Sequence, residues 1–281
     1  MKLLNIWNTN GDASTLETEH TARGHEVFTL MCKGYDEQLD IGNFTRVSKE
    51  IFVPYALKKA RESDIIHIHA KDRLVPTIKA IYPKKKVVLT YHGSEIRSNN
   101  GDNPSLDIST GKRNYWAERE KYWGKADAIT VTTKDLLGGA PENVVYTPAP
   151  VDKSLWKRSE EYTKKTAYYS RYWGRQAEAD IMAFQWAKKG GMSLHISTRK
   201  RTYSEYRKSL ESYEYFLDIK QVPSGEVLRV LSRSGLEFLA LGGKVLNNGK
   251  IYKKFPEEAS AENVANQMEK IYGEILKRAE A

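Results

Sequence analysis

A single cysteine, Cys32, is all that 281 residues offer for sulfur chemistry. It excludes an internal disulfide and a cysteine-based zinc site, and a reducing, cytoplasmic setting is the expectation. No apolar run approaches the roughly 18 residues of a membrane-spanning helix, and no signal-peptide pattern opens the chain. A convincing internal repeat is missing, and so is the Gly-x-Gly-x-x-Gly fingerprint, which disfavours a dinucleotide site. What is present is ordinary for a folded protein: 40% of residues are hydrophobic and 29% charged, which excludes intrinsic disorder for most of the chain. The length suits two domains of about 130–150 residues.

Charge is the unusual feature. The chain carries 45 Lys+Arg against 36 Asp+Glu, a formal net of +9. Residues 1–150 hold 21 basic and 19 acidic side chains, and residues 151–281 hold 24 and 17. The excess therefore lies mostly in the second half. An anionic partner is implied: nucleic acid, an anionic lipid surface or a phosphorylated small molecule.

The first half alternates strand and helix signals. Leu3 to Trp7, Val27 to Met31, Asp64 to His69, Lys86 to Tyr91, Ala128 to Thr132 and Asn143 to Tyr146 read as strands. Helical stretches separate most of them, notably Ser48 to Arg61 and Tyr115 to Trp123. Strands joined by long crossovers pair in parallel, and near-continuous apolar strands imply a sheet covered on both faces. Residues 1–150 thus read as a doubly wound α/β domain. After Pro148 and Pro150 a second, smaller α/β unit is expected over 151–255. Its strands start at Thr166, Ser193, Glu214 and Lys244, with helices from Gln176 to Lys189, around Ser204 to Leu210 and from Leu236 to Leu241. A last amphipathic helix is expected within 256–281. Ser98 to Gly111, rich in Asn, Asp, Ser and Gly, reads as a mobile loop.

In such sheets ligands bind beyond the carboxyl ends of the strands. The loop after the first strand contains Gly11, which permits close backbone approach, and the helix start behind it offers N–H groups to an anion. Beyond the strand ending at Tyr91 lie His92, Ser94, Glu95 and Arg97, with His92 able to donate to a substrate hydroxyl and Arg97 to pair with an anion. His67 and His69 share one strand face, but no carboxylate spacing beside them supports zinc. Arg171 and Arg175 follow the first strand of the second half and suit a diphosphate clamp, since guanidinium pairs phosphate bidentately. Ser234 and Gly235 are small residues at a helix start, fit for backbone contact with phosphate. Glu237, one turn in, can accept from two ribose hydroxyls.

These segments resemble glycosyltransferase family 4. The resemblance rests on Asp64-Ile-Ile-His-Ile-His69, Val87-Val-Leu-Thr-Tyr-His92-Gly-Ser-Glu-Ile-Arg97, Ala126 to Asp135, Tyr146-Thr-Pro-Ala-Pro-Val-Asp152 and Gly235-Leu-Glu-Phe-Leu-Ala-Leu-Gly-Gly243, in the family's order. It implies a GT-B fold: two Rossmann-like doubly wound domains facing a central cleft, with the last helix crossing back toward the first domain. It further implies transfer of a sugar from a nucleotide diphosphate sugar, with retention and without an essential metal or other cofactor. On that reading His92 sits by the transferred sugar and Arg171, with Arg175, neutralises the departing diphosphate. Gly11, Ser234 and Gly235 contact the donor, Glu237 holds the ribose, and Ser94, Glu95 and Arg97 lie on the acceptor side. The acceptor is a lipid, glycan, protein or small molecule. The family's first Glu, separated from the ribose Glu by seven intervening residues, is replaced by Arg229.

Three rivals remain: a non-catalytic sugar-nucleotide-binding protein on the same fold, a basic nucleic-acid-binding protein, and a sugar-nucleotide epimerase. No RNA or DNA motif is recognisable, so a nucleic-acid partner is not expected. Basic residues such as Arg199-Lys200-Arg201 and Lys253-Lys254 read as a solvated face, or as weak association with an anionic membrane surface.

Overall fold

The computed structural model describes residues 1–93, 96, 115–158, 166–170, 177–198, 201–220 and 230–278. The chain divides into two compact units: Met1–Glu37, Ile41–Pro150 and Ala261–Ala281 in the first, Gln38–Asp40 and Val151–Ser260 in the second.

The first unit is built on strands β1 (Lys2–Ile6), β2 (Glu26–Cys32), β3 (Thr45–Val47), β4 (Ile65–His69), β5 (Lys86–Tyr91), β6 (Ala128–Val131) and β7 (Val144–Tyr146). They form one sheet in the order β3-β2-β1-β4-β5-β6-β7, parallel throughout. The order reverses at β1, as in doubly wound sheets. Helices α1 (Asp12–Ala22), α2 (Lys49–Glu62), α3 (Leu74–Ile81) and α4 (Tyr115–Trp123) belong to the crossovers. β3, only three residues long, falls below what apolar periodicity detects.

The sheet is apolar on both faces because both are covered. Leu4, Ile6, Ile66, Ile68, Val87 and Leu89 face one core, which α2 joins through Phe52, Ala56 and Ala60. Leu3, Ile65 and Val88 point the other way, against Leu16 of α1 and the last helix. A helix starting at Pro256 is the sequence expectation, whereas Glu257–Ala259 form a separate 3₁₀ turn and the last helix covers Ala261–Lys277. Its residues Val264, Met268, Ile271, Tyr272 and Ile275 are buried, a stripe at i, i+4, i+7, i+8 and i+11 that fits one helical face.

The second unit carries β8 (Thr166–Ser170), β9 (Ser193–Ser197), β10 (Tyr215–Leu217), β11 (Lys244–Asn247) and β12 (Lys250–Tyr252), in the order β12-β11-β10-β8-β9. Only β12 is antiparallel, as the return arm of a hairpin from β11. Helices α5 (Ala177–Lys189), α6 (Tyr203–Leu210) and α7 (Arg233–Ala240) accompany it, and the last helix of the chain becomes α8. Small residues Ala179, Ala183 and Ala187 let α5 approach its sheet. On the opposite face Tyr168, Phe216, Phe238, Leu239 and Trp156 form an aromatic core. Among the described residues no helix is long and apolar enough to cross a membrane.

Candidate functional site

In the first unit the carboxyl ends of β1, β4 and β5 meet at a small recess lined by Asp12, His67, His69, Thr90, His92 and Thr132 among others. The loop from β1 into α1 is held by its own side chains. Asn8 donates through Nδ2 to Ser14 Oγ (3.1 Å) and accepts at Oδ1 from the Ser14 amide (3.0 Å). The hydroxyls of Ser14 and Thr15 donate to the Gly11 carbonyl at 3.1 and 2.9 Å. Gly11 has φ 89°, a conformation open to glycine at little cost. The turn fixes Asp12 as the first helical residue, where the positive end of the helix dipole favours a carboxylate.

Asp12 is 2% exposed, and its Oδ2 lies 2.9 Å from His92 Nδ1. His92 Nε2 lies 3.1 Å from His69 Nδ1. With Asp12 ionised and His92 neutral, the row takes one polarity. The carboxylate can only accept, so His92 carries its proton on Nδ1. Its Nε2 then accepts from His69 Nδ1–H, which leaves a lone pair on His69 Nε2. That atom is buried and has no hydrogen-bond partner among the described residues. The arrangement is a directed chain: a proton taken up at His69 Nε2 can pass to His92 and on toward Asp12.

His67 lies beside this chain, its ring 4.1 Å from that of His69. Its Nδ1 is 2.8 Å from the Tyr272 hydroxyl and its Nε2 2.6 Å from Thr90 Oγ1, which pairs in turn with Thr130 Oγ1. Burial depresses His67 to about 3 and His69 well below the usual imidazole range. Both rings are therefore neutral at physiological pH. Sequence reasoning placed the two histidines on one face correctly. What it missed is Asp12, the carboxylate that organises the row. The available signal was an acidic residue immediately after the glycine turn.

In the second unit α7 starts at Arg233, three residues earlier than the sequence suggests. Ser232 Oγ caps it by accepting from the Gly235 amide at 3.2 Å, a standard N-cap contact. The Ser232 amide donates to Asp218 Oδ2 at 2.7 Å. A Cβ on residue 235 would stand 2.4 Å from that same oxygen, so glycine here permits the helix start to rest on Asp218. Burial raises Asp218 above the usual carboxylate range. Gly235 is thus committed to building the helix start, and its amide is already used.

Glu237, 1% exposed, accepts at Oε1 from Arg233 Nε (2.7 Å) and from the Tyr203 hydroxyl. Burial raises its pKa, with Arg233 and Tyr203 opposing the shift. Both contacts fall on Oε1, and Oε2 carries no partner among the described residues. One oxygen anchors the side chain while the other remains available. Ser234 lies between the cap and this carboxylate. Arg201, read from sequence as part of a solvated face, is instead half-buried. Its Nη1 reaches Tyr168 Oη, Ser197 Oγ and Ser209 Oγ at 3.2, 3.1 and 3.3 Å.

Of the other sequence candidates, Ser94, Glu95, Arg97, Arg171 and Arg175 lie outside the described residues, as does Arg229. The structure joins Gly11 to His92 through Asp12 and gathers Ser234, Gly235 and Glu237 on the first turns of α7.

No family model and no curated protein matches the sequence. Solved structures do. An alpha-glucosyltransferase in complex with UDP and a 13-mer DNA containing a central A:G mismatch superposes with a TM-score of 0.52 at 15% identity, covering 99% of this chain and 90% of that one. Anabaena HepE in complex with UDP and glucose gives a TM-score of 0.56 at 12% identity, covering 99% and 92%. At such identities the likeness establishes the fold, and it does so over nearly the whole of each chain. The protein has the α/β architecture of GT-B glycosyltransferases, with two Rossmann-like units carrying seven- and five-stranded sheets.

Proposed function

We propose that the chain transfers a sugar from a nucleotide diphosphate sugar to a hydroxyl acceptor. The observation that carries this reading is the Asp12–His92–His69 chain, set at the carboxyl edge of a Rossmann-like sheet in a GT-B architecture. A buried carboxylate that fixes one imidazole tautomer, with a lone pair left at the far end, is the equipment of a general base. The base has an evident task, since the acceptor hydroxyl must lose a proton as its oxygen bonds to the anomeric carbon.

The donor is assigned to the second unit. On this reading Glu237 Oε2 accepts from ribose hydroxyls, with Arg233 and Tyr203 holding the side chain through Oε1. Arg171 and Arg175 are proposed to neutralise the negative charge that develops on the diphosphate as it departs, a contribution that is large where water is excluded. The family resemblance implies retention, in which the leaving diphosphate itself can receive the acceptor proton. The Asp12–His92–His69 chain favours a second reading, inversion, in which the protein takes that proton. NMR assignment of the product's anomeric configuration decides between them.

For the acceptor, the alpha-glucosyltransferase of similar fold was captured with DNA, so a nucleic acid enters as a candidate although no sequence motif points to one. A nucleic-acid acceptor would show affinity that falls steeply with added salt. A thermal-shift panel of nucleoside diphosphates and their sugars tests the donor assignment, because a ligand of the folded state raises its apparent stability. No stabilisation by any of them, together with no transfer to any acceptor and no slow donor hydrolysis, would sink the proposal.

A further inference from the structure

On the side of the first unit where α1 hands over to β2, a second group of polar side chains gathers. Helix α1 ends in a compact cap: the Gly24 amide donates to the Thr21 carbonyl at 3.0 Å and the His25 amide to the His20 carbonyl at 3.0 Å, with Gly24 at φ 81°. This double bond is the Schellman arrangement, which brings the side chains of its first and last residues together. Those positions are usually apolar. Here they are His20 and His25, with ring centroids 5.8 Å apart.

Helix α8 supplies the third member. Glu269 Oε1 lies 3.3 Å from His20 Nδ1 and 3.1 Å from His25 Nε2, and all three atoms lie within 4.8 Å of one another. Zinc bonds of about 2.0–2.1 Å in tetrahedral geometry place neighbouring ligand atoms about 3.3 Å apart. The two nitrogen–oxygen separations already match such edges. The other carboxylate oxygen is held aside: Arg23 Nη1 donates to Glu269 Oε2 at 3.3 Å and to Asn266 Oδ1 at 2.6 Å, and its Nη2 to the Glu262 carbonyl at 3.0 Å. An outer residue that fixes the free oxygen of a ligating carboxylate is a recurring feature of metal sites.

We propose that His20 Nδ1, His25 Nε2 and Glu269 Oε1 form a site for zinc or a similar borderline divalent metal, with a water completing the shell. Two neutral imidazoles and one carboxylate suit this class of ion rather than magnesium or calcium, which prefer all-oxygen shells. The site ties the α1–β2 corner to α8, two parts of the first unit separated by some 245 residues of chain. Its role is structural, and it is independent of the proposed transfer reaction. Acid competes for the site by protonating the two imidazoles, so zinc binding weakens as pH falls.

The experiment uses the full chain, stripped with a chelator and titrated with zinc against a chromogenic competitor. One equivalent is expected to bind and to raise the melting temperature. His25→Gln and Glu269→Gln should each weaken zinc by more than about 100-fold, beyond what loss of an outer-shell partner costs, and should abolish the thermal gain. Cobalt in the unsubstituted chain should show the visible d–d bands of a low-coordinate nitrogen–oxygen site, a readout that holds even if one variant fails to fold. Lack of stoichiometric zinc uptake by the unsubstituted chain overturns the proposal. So does uptake undiminished in the folded variants.

Discussion

Replacing His67 by Gln should flatten the acid sensitivity of the protein by a calculable amount. In the folded chain His67 is held near 3 by burial, whereas an unfolded imidazole titrates near 6.5. The folded value is depressed, so the unfolded state takes up the proton first. The stability this group contributes is fully present above about pH 6.5 and is lost as pH falls from there toward 3. Between pH 7.5 and pH 5 the unfolded chain becomes almost fully protonated at this residue while the folded chain does not. Linkage converts that difference into about 2 kcal/mol. The result depends only on the folded value lying well below 5.

Other buried groups titrate over the same range. Burial depresses His20 as well, which adds to the acid loss, while it raises Glu17, Asp218 and Glu237, which opposes it. The informative quantity is therefore the difference between two proteins that share those groups. Urea unfolding of the parent and of His67→Gln at pH 7.5 and at pH 5 provides it. The variant should be less stable at pH 7.5, because Gln cannot serve both the Tyr272 hydroxyl and Thr90 Oγ1, and an unpartnered buried group costs about 1–3 kcal/mol. Between the two pH values, however, the parent should lose about 2 kcal/mol more than the variant. Parallel losses, within about 0.5 kcal/mol, would refute the assignment of a buried neutral His67.

Three further substitutions probe the two candidate sites. Asp12→Asn keeps an oxygen that can accept from His92 Nδ1 but removes the charge that stabilises the imidazolium, so turnover should fall about 10²–10⁴-fold with the fold retained by circular dichroism; undiminished turnover would remove the base from the mechanism. Gly235→Ala sets a methyl 2.4 Å from Asp218 Oδ2 and should cost about 1–3 kcal/mol as overpacking, measured by chemical denaturation. A loss below about 0.5 kcal/mol would mean that Asp218 moves aside freely. Ala70, at φ 63°, occupies a conformation that costs a non-glycine residue about 1–3 kcal/mol; Ala70→Gly should raise stability by about 1 kcal/mol once glycine's entropy is subtracted, and a destabilised variant would show that the strain is absent.

The sheets were the most legible part of the chain, because buried parallel strands such as Val87-Val88-Leu89 and Ile65-Ile66 write their burial directly into composition. Helix starts were harder to place. Ser232-Arg-Ser-Gly235 reads as a loop by propensity, yet Asp218 and Ser232 turn it into the first turn of α7, a tertiary contact that local sequence does not carry. The recess shows the same limit. His92 and the His67-x-His69 pair were visible as residues, but their meaning lies in partners 80 positions away at Asp12 and 205 positions away at Tyr272. Hydrogen-bond polarity is a property of assembled neighbours, so no single-strand pattern could have revealed that His69 ends a chain begun by a carboxylate.

Backbone conformation points to the same edge of the first sheet independently of the histidines. Five described non-glycine residues have positive φ: Trp7, Asn10, Asp36, Ala70 and Asn248. Three are Asn or Asp, whose short polar side chains tolerate the left-handed region. Trp7 and Ala70 have no such excuse. Each is the first residue beyond its strand, after Ile6 and after His69, and those two strands are neighbours in the sheet. The strained pair therefore lies at the carboxyl ends of two neighbouring strands, with the Lys71 ammonium 3.9 Å over the Trp7 ring. A sequence selected for stability alone would relieve both positions with glycine. Strain, neutral buried imidazoles and a buried carboxylate each violate a rule of folding economy, and they coincide at one sheet edge. The proposed transfer reaction would give all three a common reason to be retained there.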